Sequence, residues 1–483
     1  MKIKFGTDGW RGLIAADFTF AQVAKVAPIS AQVLNEFYGK STNNPLIIVG
    51  YDRRFMAEKF AEVAAESIQN AGFNVLLSEC FAPTPAFSWA AKQFNALGAI
   101  VMTASHNPAG YLGLKIKGAF GGSAPPELTQ LVEQKLEDSG EYEQKIKGSL
   151  TKFNPWTSYC KNIQSKVNIT QIQNAIKTGK LKVFADVMHG AASTGLSQIL
   201  GLEITEINSN NDPLFDGGAP EPLPRYLSQL FRVIRTEKRV NPDKLSVGLV
   251  FDGDSDRIAA VDGNGNFLSS QILIPILIEH LAINHQKLGE VIKTVSGSDL
   301  IPLVAKFYQL PIYETAVGYK YIADRMLTNQ VLLGGEESGG IGYGDHIPER
   351  DALLSALYVL EAVVQSDKDL GELYESLREK TGFYSAYDRV DLHLSNMEVR
   401  AKILRELQET GITEIAGKKV IDCNTIDGYK FRLEDQSWLM IRFSGTEPVL
   451  RLYCEAQNIT DVNNMLISIQ EIINKFIAYP TRS

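Results

Sequence analysis

Short, unbroken apolar runs recur along the first two thirds of the chain, and each ends in a loop rich in Gly, Asp or Ser. LIIVG (46–50) leads to YDRR, AIVM (99–102) to TASHNP, and KVFADV (182–187) to MHGAAS. VGLVF (247–251) leads to DGDSDR and VLL (331–333) to GGEESGG. Runs of this length predict strands buried on both faces. Between them lie amphipathic stretches such as Phe60–Asn70, where apolar residues fall at helical spacing. Strands alternating with helices predict α/β layers around a largely parallel sheet, with ligands beyond the carboxyl ends of the strands. The last hundred residues differ. KVIDC, YKFRLE, SWLMIRF and VLRLYCEA are closely spaced strands. A final helix follows, with Val462, Met465, Leu466, Ile469, Ile472 and Ile473 as its apolar stripe. This α+β pattern predicts a separate C-terminal domain. Segments 138–152 and 379–388 are candidate linkers, and no low-complexity tract or short repeat is visible.

At about 150 residues per domain, 483 residues suggest about three domains. The net charge of −8 argues against a general nucleic-acid binder but not against an anionic small substrate. Four cysteines, Cys80, Cys160, Cys423 and Cys454, show no CxxC spacing and read as reduced, buried thiols. The start MKIKFGTDGWRG has no apolar core of a secretory signal. The longest apolar run, Ile272–Ile278, contains Pro275 and falls well short of the ~20 residues a membrane helix needs. The expectation is a cytoplasmic protein with no membrane and no nucleic-acid partner.

The sharpest chemical signal is FDGDSDR (251–257), which puts Asp252, Asp254 and Asp256 directly after an apolar strand. Unpaired, these carboxylates repel one another, so a cation is their natural partner, and an all-oxygen set suits Mg2+. An EF-hand loop is excluded, because Arg257 and Gly263 stand where Gly and Glu are required. A solvated acidic loop is the bland alternative. TASHNP (103–108) reads either as a turn or as a loop presenting Ser105 as nucleophile or phosphate carrier, with Lys115 ten residues on as an acid, base or clamp. RFSGTEP (442–448) is a turn between strands or an anion nest built on Arg442, Ser444, Gly445 and Thr446. GEESGG (335–340) offers carboxylates and a hydroxyl to sugar hydroxyls. Adjacent Glu336 and Glu337 diverge too readily for a glycosidase pair. There is no Walker loop, since Leu34 stands in place of its first glycine, and no dinucleotide fingerprint or HExxH. His280 and His285, five apart, read as structural or exposed.

Taken in order, TASHNP, DGDSDR, GEESGG and RFSGTEP resemble the four signature loops of the α-D-phosphohexomutase family, and FGTDGWRG (5–12) resembles its opening. The resemblance spans essentially the whole chain. It implies three related α/β domains with mixed sheets plus a C-terminal α+β domain around a central cleft. The boundaries would be 1–150 (phosphoserine loop), 151–265 (metal loop), 266–380 (sugar loop) and 381–483 (phosphate loop). It further implies that Ser105 is the phosphoserine and that His106 and Lys115 assist it. Asp252, Asp254 and Asp256 would hold Mg2+, with Ser105 as fourth ligand, while Arg11 and Arg257 neutralise the phosphate. Gly318, Lys320, Glu336, Ser338, Arg442, Ser444, Gly445 and Thr446 would bind substrate. The implied activity is that of a Mg2+-dependent isomerase interconverting glucose 1-phosphate and glucose 6-phosphate. Glucose 1,6-bisphosphate would be its intermediate and activator, and the protein a monomer or homodimer. GEES with DHIPERD (345–351) resembles the glucose-preferring branch, with mannose phosphate second. The same site also suits a glucose 1,6-bisphosphate synthase. A Mg2+-dependent phosphatase using Asp252, or a silent sugar-phosphate binder, are the rivals from other classes. The cations are expected to form a basic cleft in an acidic shell.

Overall fold

The computed structural model describes residues 3–6, 8–138, 146–443 and 448–478. Three α/β sheets and one antiparallel sheet follow one another along the chain. In the first, Gly98–Met102, Leu46–Tyr51, Asn74–Ser78 and Leu150–Phe153 run parallel. Tyr111–Gly118 and Trp10–Leu13 add antiparallel strands beside Gly98–Met102. The second has Leu245–Phe251, Leu181–Asp186 and Thr205–Ile207 in parallel, with Ile258–Val261 antiparallel to Leu245–Phe251 and Phe267–Leu268 beyond it. The third has Ile312–Thr315, Glu290–Thr294 and Val331–Gly335 in parallel and Ile341–Tyr343 antiparallel. The five apolar runs that end in loops at 46–50, 99–102, 182–187, 247–251 and 331–333 are therefore parallel strands, whereas the longest run, Ile272–Ile278, lies in the helix Ser270–Ile283.

The chemistry-bearing loops that follow three of those runs are not strand-to-helix crossovers. TASHNP, DGDSDR and GEESGG each join a parallel strand to an antiparallel neighbour, so they are hairpin loops at the sheet ends. Hairpins are stiffer anchors than long crossovers, because both flanking strands are tied by ladder hydrogen bonds.

The parallel strands are buried on both faces. Ile47, Ile48 and Val49 have no exposed surface, and burial of each such side chain contributes about 1.5–3 kcal/mol. The helix Ala352–Ser366 is buried all round from Ala352 to Val364. Its N-cap, Asp351, accepts the Leu354 amide and the Tyr159 hydroxyl. One continuous apolar core thus joins the first three sheets. The fourth sheet, from Ala386–His393 through Glu414–Ile415, is wholly antiparallel and has its own core beneath the helix Ile459–Ala478.

Two expectations change here. The strand Leu150–Phe153 begins inside the proposed linker 138–152, of which 139–145 fall outside the described residues. In 379–388 only 382–385 are irregular, between the helix Leu370–Thr381 and the strand Ala386–His393. The cysteines are free as expected, but only Cys454 is buried; Cys80 and Cys160 are half-buried and Cys423 is exposed. Among the described residues no helix is long and apolar enough to cross a membrane.

Candidate active site

Ser105 sits in the left-handed backbone region (φ +51°) at the tip of its hairpin and is 1% exposed. A non-glycine residue in that region is strained and persists only where its surroundings impose it. Here the imposing group is Arg54, buried beneath the loop. It donates to the carbonyls of Ser105 (2.7 Å), Pro108 (3.0 Å) and Tyr111 (3.1 Å), and also to that of Asn107. The Ser105 amide donates to Thr103 Oγ1 at 2.9 Å. The loop is further fixed by Arg11, which donates to the Asn107 side chain.

The acidic hairpin faces this serine. A Cβ at Gly253 would lie 2.4 Å from the Ser105 carbonyl oxygen, so only glycine lets the two loops meet. Ser105 Oγ donates to Asp252 Oδ2 at 2.9 Å, and His106 Nδ1 lies 3.3 Å from the same hydroxyl. Each of the three aspartates has one oxygen tied down. Asp252 Oδ1 accepts the amides of Asp256 and Arg257 at 3.0 and 3.1 Å. Asp254 Oδ2 accepts from Thr84 at 2.5 Å and Lys115 at 2.8 Å. Asp256 Oδ2 meets Lys115 at 3.1 Å and Arg350 at 2.7 Å. The second oxygens of Asp254 and Asp256 are buried without hydrogen-bond partners. One oxygen from each of the three carboxylates lies within 4.8 Å of the others. Orphaned carboxylate oxygens beside a serine hydroxyl fit a hard divalent cation.

The charges are arranged in layers. Asp8, which the strand Trp10–Leu13 anchors nearby, pairs with Lys115 and Arg350, at 2.8 and 2.7 Å, and with Lys117 at 3.3 Å. Lys117 also meets Glu349 at 2.6 Å. Burial alone would lower the Lys115 ammonium, but Asp254, Asp256 and Asp8 raise it above its ordinary value. Burial would raise Asp8, but Lys115, Lys117 and Arg350 bring it well below the carboxylate range. Asp252 is pushed well above it by burial and by Asp256 and Asp254. His106 is lowered well below its ordinary value by burial and by Arg257 and Arg11, so its ring is neutral. The expected basic cleft is thus pre-neutralised, with Asp8, Asp252, Asp254 and Asp256 standing against Lys115, Arg11, Arg257 and Arg350.

The sugar-loop residues lie next to this cluster. Arg257 pairs with Gly340 as an isolated β-bridge, and the Ile258 amide donates to the Gly339 carbonyl. Buried Glu336 lies 3.8 Å from Arg350 and accepts the Gly318 amide. Ser338 is half-buried in the same hairpin. The Lys320 ammonium lies 4.8 Å over the Tyr321 ring. Arg442 reaches the cleft indirectly: its Nε donates to Asp427 at 2.8 Å, and Asp427 also accepts the Val317 amide. Ser444, Gly445 and Thr446 lie outside the described residues.

Sequence reasoning did not name Asp8, Arg54, Lys117, Glu349 or Arg350. The signal for Asp8, Arg54 and Arg350 was present, since they lie in FGTDGWRG, YDRR and DHIPERD. Three hairpin loops bring a strained serine, a carboxylate trio with free oxygens and a ring of paired cations to one point. That arrangement defines a metal-assisted phosphoryl-transfer enzyme.

Known proteins narrow the class. Residues 2–143, 157–265 and 269–381 match domains I, II and III of the phosphoglucomutase/phosphomannomutase alpha/beta/alpha type, and 395–466 match its C-terminal domain. The chain is 28% identical to a phosphoglucomutase/phosphomannomutase of Thermococcus kodakarensis, covering 94% of each. It is 30% identical to a phosphoglucosamine/phosphogalactosamine mutase of Sulfurisphaera tokodaii, covering 97% of this chain and 98% of that protein. A crystal structure of a candidate phosphomannomutase from Thermus thermophilus superposes with a TM-score of 0.83 at 30% identity, covering 98% of this chain and 99% of that one. The chain belongs to the phosphoglucomutase/phosphomannomutase family, the Mg2+-dependent phosphohexomutases.

Proposed function

We propose that this phosphohexomutase interconverts glucose 1-phosphate and glucose 6-phosphate through phospho-Ser105 and a glucose 1,6-bisphosphate intermediate. The carrying observation is Ser105 itself: φ +51°, 1% exposed, 2.9 Å from Asp252 and beside two unpartnered carboxylate oxygens. Asp252, Asp254 and Asp256 would hold Mg2+, which supplies charge neutralisation to the phosphoryl oxygens.

The residues divide the remaining work. In the forward half-reaction the O–P bond to Ser105 breaks as a bond forms to the sugar hydroxyl. Lys115, held protonated by three carboxylates, is the acid for the departing serine oxygen. The incoming hydroxyl attacks from the opposite face and passes its proton to a phosphoryl oxygen. His106, held neutral by burial beside Arg257 and Arg11 and 3.3 Å from the Ser105 hydroxyl, orients the serine side. Glu336 and Ser338 orient the sugar, with the Gly318 amide holding Glu336 in place, and Lys320 contributes to substrate binding. Arg442 with Ser444, Gly445 and Thr446 holds the phosphate that does not react. After the bisphosphate turns end for end, its other phosphate returns to Ser105.

The sugar is argued from Glu337. It is tied at 3.3 Å to Arg389, which also pairs with Asp391 at 3.3 Å, so its carboxylate is engaged toward the fourth sheet and not free to meet the ammonium of an amino sugar. A second reading, dual action on mannose phosphate, is favoured by the name of the Thermococcus kodakarensis relative.

A coupled assay on glucose 1-phosphate, mannose 1-phosphate and glucosamine 1-phosphate, each with and without glucose 1,6-bisphosphate, tests the reading. The highest kcat/KM is expected on glucose 1-phosphate, with activation by the bisphosphate. Preference for either other sugar overturns the glucose assignment, and accumulation of bisphosphate in excess of enzyme redefines the protein as a synthase. Ser105→Ala is expected to abolish turnover; wild-type activity in that variant sinks the phosphoserine route.

A further inference from the structure

A second polar cluster lies away from the phosphoryl-transfer loops. His280 occupies the last turn of the helix Ser270–Ile283, His285 the turn that follows, and Glu361 the buried helix Ala352–Ser366. Both imidazole Nε2 atoms converge on one oxygen, Glu361 Oε2, at 2.9 Å from His280 and 2.6 Å from His285. His280 and Glu361 are buried, whereas the His285 side chain is 17% exposed.

We propose that His280, His285 and Glu361 form a zinc site in which water takes the fourth position on the His285 side. The three ligand atoms lie within 4.8 Å of one another. Two imidazoles and a carboxylate are a set that suits Zn2+ and is poorly matched to the all-oxygen preference of Mg2+. Ligand atoms on tetrahedral zinc stand about 3.3 Å apart, given bonds of about 2.0–2.1 Å. The present spacings are those of hydrogen bonds, so zinc replaces the two ring protons and spreads the atoms by roughly half an ångström.

Supporting contacts of the kind that orient metal ligands are already in place. The free carboxylate oxygen, Glu361 Oε1, accepts the Asn168 amide at 2.6 Å. The Asn284 side chain lies 3.0 Å from His280 Nδ1, and turning its amide over makes it accept the proton that a zinc-bound ring carries there. Tyr358 packs edge-on to both rings, with centroids 6.1 and 5.4 Å away. The nearby cation, Lys287, is compensated by Asp345 at 3.0 Å.

The site would be a staple. Through Asn168 it ties the start of the helix Ile169–Lys177, on the second sheet, to the two long helices of the third. At 1.5 Å per residue the helix Ser270–Ile283 sets His280 about 15 Å from its other end, where Ser270 holds the Glu337 carbonyl at 2.7 Å. Bound zinc should therefore stabilise the fold without entering the phosphoryl-transfer chemistry.

The test uses full-length, chelator-stripped protein in excess Mg2+, which occupies the aspartate site, titrated calorimetrically with Zn2+ and in parallel with Co2+. One Zn2+ per chain is expected, with a rise in Tm and the visible absorption of four-coordinate cobalt. His285→Gln, at the partly exposed ligand, and Glu361→Gln should each weaken binding on the order of tenfold or more. Absence of zinc uptake by the wild type under Mg2+ overturns the proposal without reference to any variant. Uptake unchanged in both variants overturns it as well.

Discussion

Replacing Lys115 with methionine keeps an unbranched apolar stem one atom shorter and removes the ammonium, its charge and its N–H donors together. The ammonium is 1% exposed and sits 2.8 Å from Asp8, 2.8 Å from Asp254 and 3.1 Å from Asp256. At an effective dielectric of about 20 each contact is worth roughly 5–6 kcal/mol before desolvation. Deleting one partner of a buried pair costs about 3–5 kcal/mol. Arg350 still holds Asp8 and Asp256 at 2.7 Å, so the lower end applies. About 3 kcal/mol corresponds to a fall of about 3–4 °C in the unfolding transition, because the unfolding entropy grows by about 2.1 cal/mol/K per residue in so long a chain. The pH dependence carries the sharper signature. In the wild type, burial raises Asp8 and Asp254 but the cations led by Lys115 bring them below their ordinary values. That stability is complete above the unfolded pKa of about 4 and is lost only as pH falls through the lower folded values. In Lys115→Met the same buried carboxylates move up instead. Their destabilisation is then full at neutral pH and shrinks as pH falls through the raised values. Thermal unfolding followed by circular dichroism should show the gap between variant and wild type narrowing from pH 7 to pH 5, and Mg2+ stabilising the variant more than the wild type. A gap of equal size at both pH values, or none at pH 7, refutes the charge-layer reasoning.

Asp254→Asn keeps the partners of the tied oxygen but removes charge from the free one. Changes to groups that merely support a metal ligand cost about 10–100-fold in affinity, and the Mg2+ requirement of this variant, read from activity titrations, should rise at least that much. Arg54→Met removes the donor that holds the Ser105 turn at φ +51°. A misplacement of about 1 Å costs on the order of 10²-fold, so kcat should fall by that order with KM little changed. Lys430, whose ammonium donates to the Val295 carbonyl beneath the Trp438 ring, is pushed down to about 7 by burial and by Lys293. Between pH 7 and 10 the unfolded lysine binds a proton that the folded one does not, so wild-type stability should rise with pH there. Lys430→Met should lack that rise in denaturant unfolding and be the more stable protein at pH 7.

What the sequence showed most clearly were the parallel strands, because burial on both faces turns them into apolar runs such as VGLVF (247–251) within the strand Leu245–Phe251. Their antiparallel partners were harder to read. Ile258–Val261 and Ile341–Tyr343 are only 4 and 3 residues long, and Tyr111–Gly118 alternates glycine and lysine with leucine. The strand Ala386–His393 and the helix Met397–Glu409 passed unnoticed for a similar reason, as neither buries a long apolar face. The candidate site was legible as loops and opaque as a network. Motif letters name Ser105 and the three aspartates, but Asp8 and Arg350 are 342 residues apart and acquire meaning only as a pair. His280 and His285 read as bland for the same reason, since Glu361 reaches them from another helix.

The way the fourth sheet is attached completes the physical picture. The first three sheets share a continuous apolar core, whereas the fourth meets the third across a small cluster of Val295, Trp438, Met440 and Tyr453. The rest of that seam is polar: Glu455 accepts the Asp299 amide and the Trp438 indole, and Arg432 pairs with Asp299. Arg389 reaches from the fourth sheet to Glu337 in the sugar loop, and Asp427 to the Val317 amide. Polar seams exchange readily with water and resist displacement less than apolar cores. The proposed bisphosphate route, in which the intermediate turns end for end, calls for a rigid reacting centre and a partner wall that can release it. The division between one shared core and one polar seam gives the molecule both.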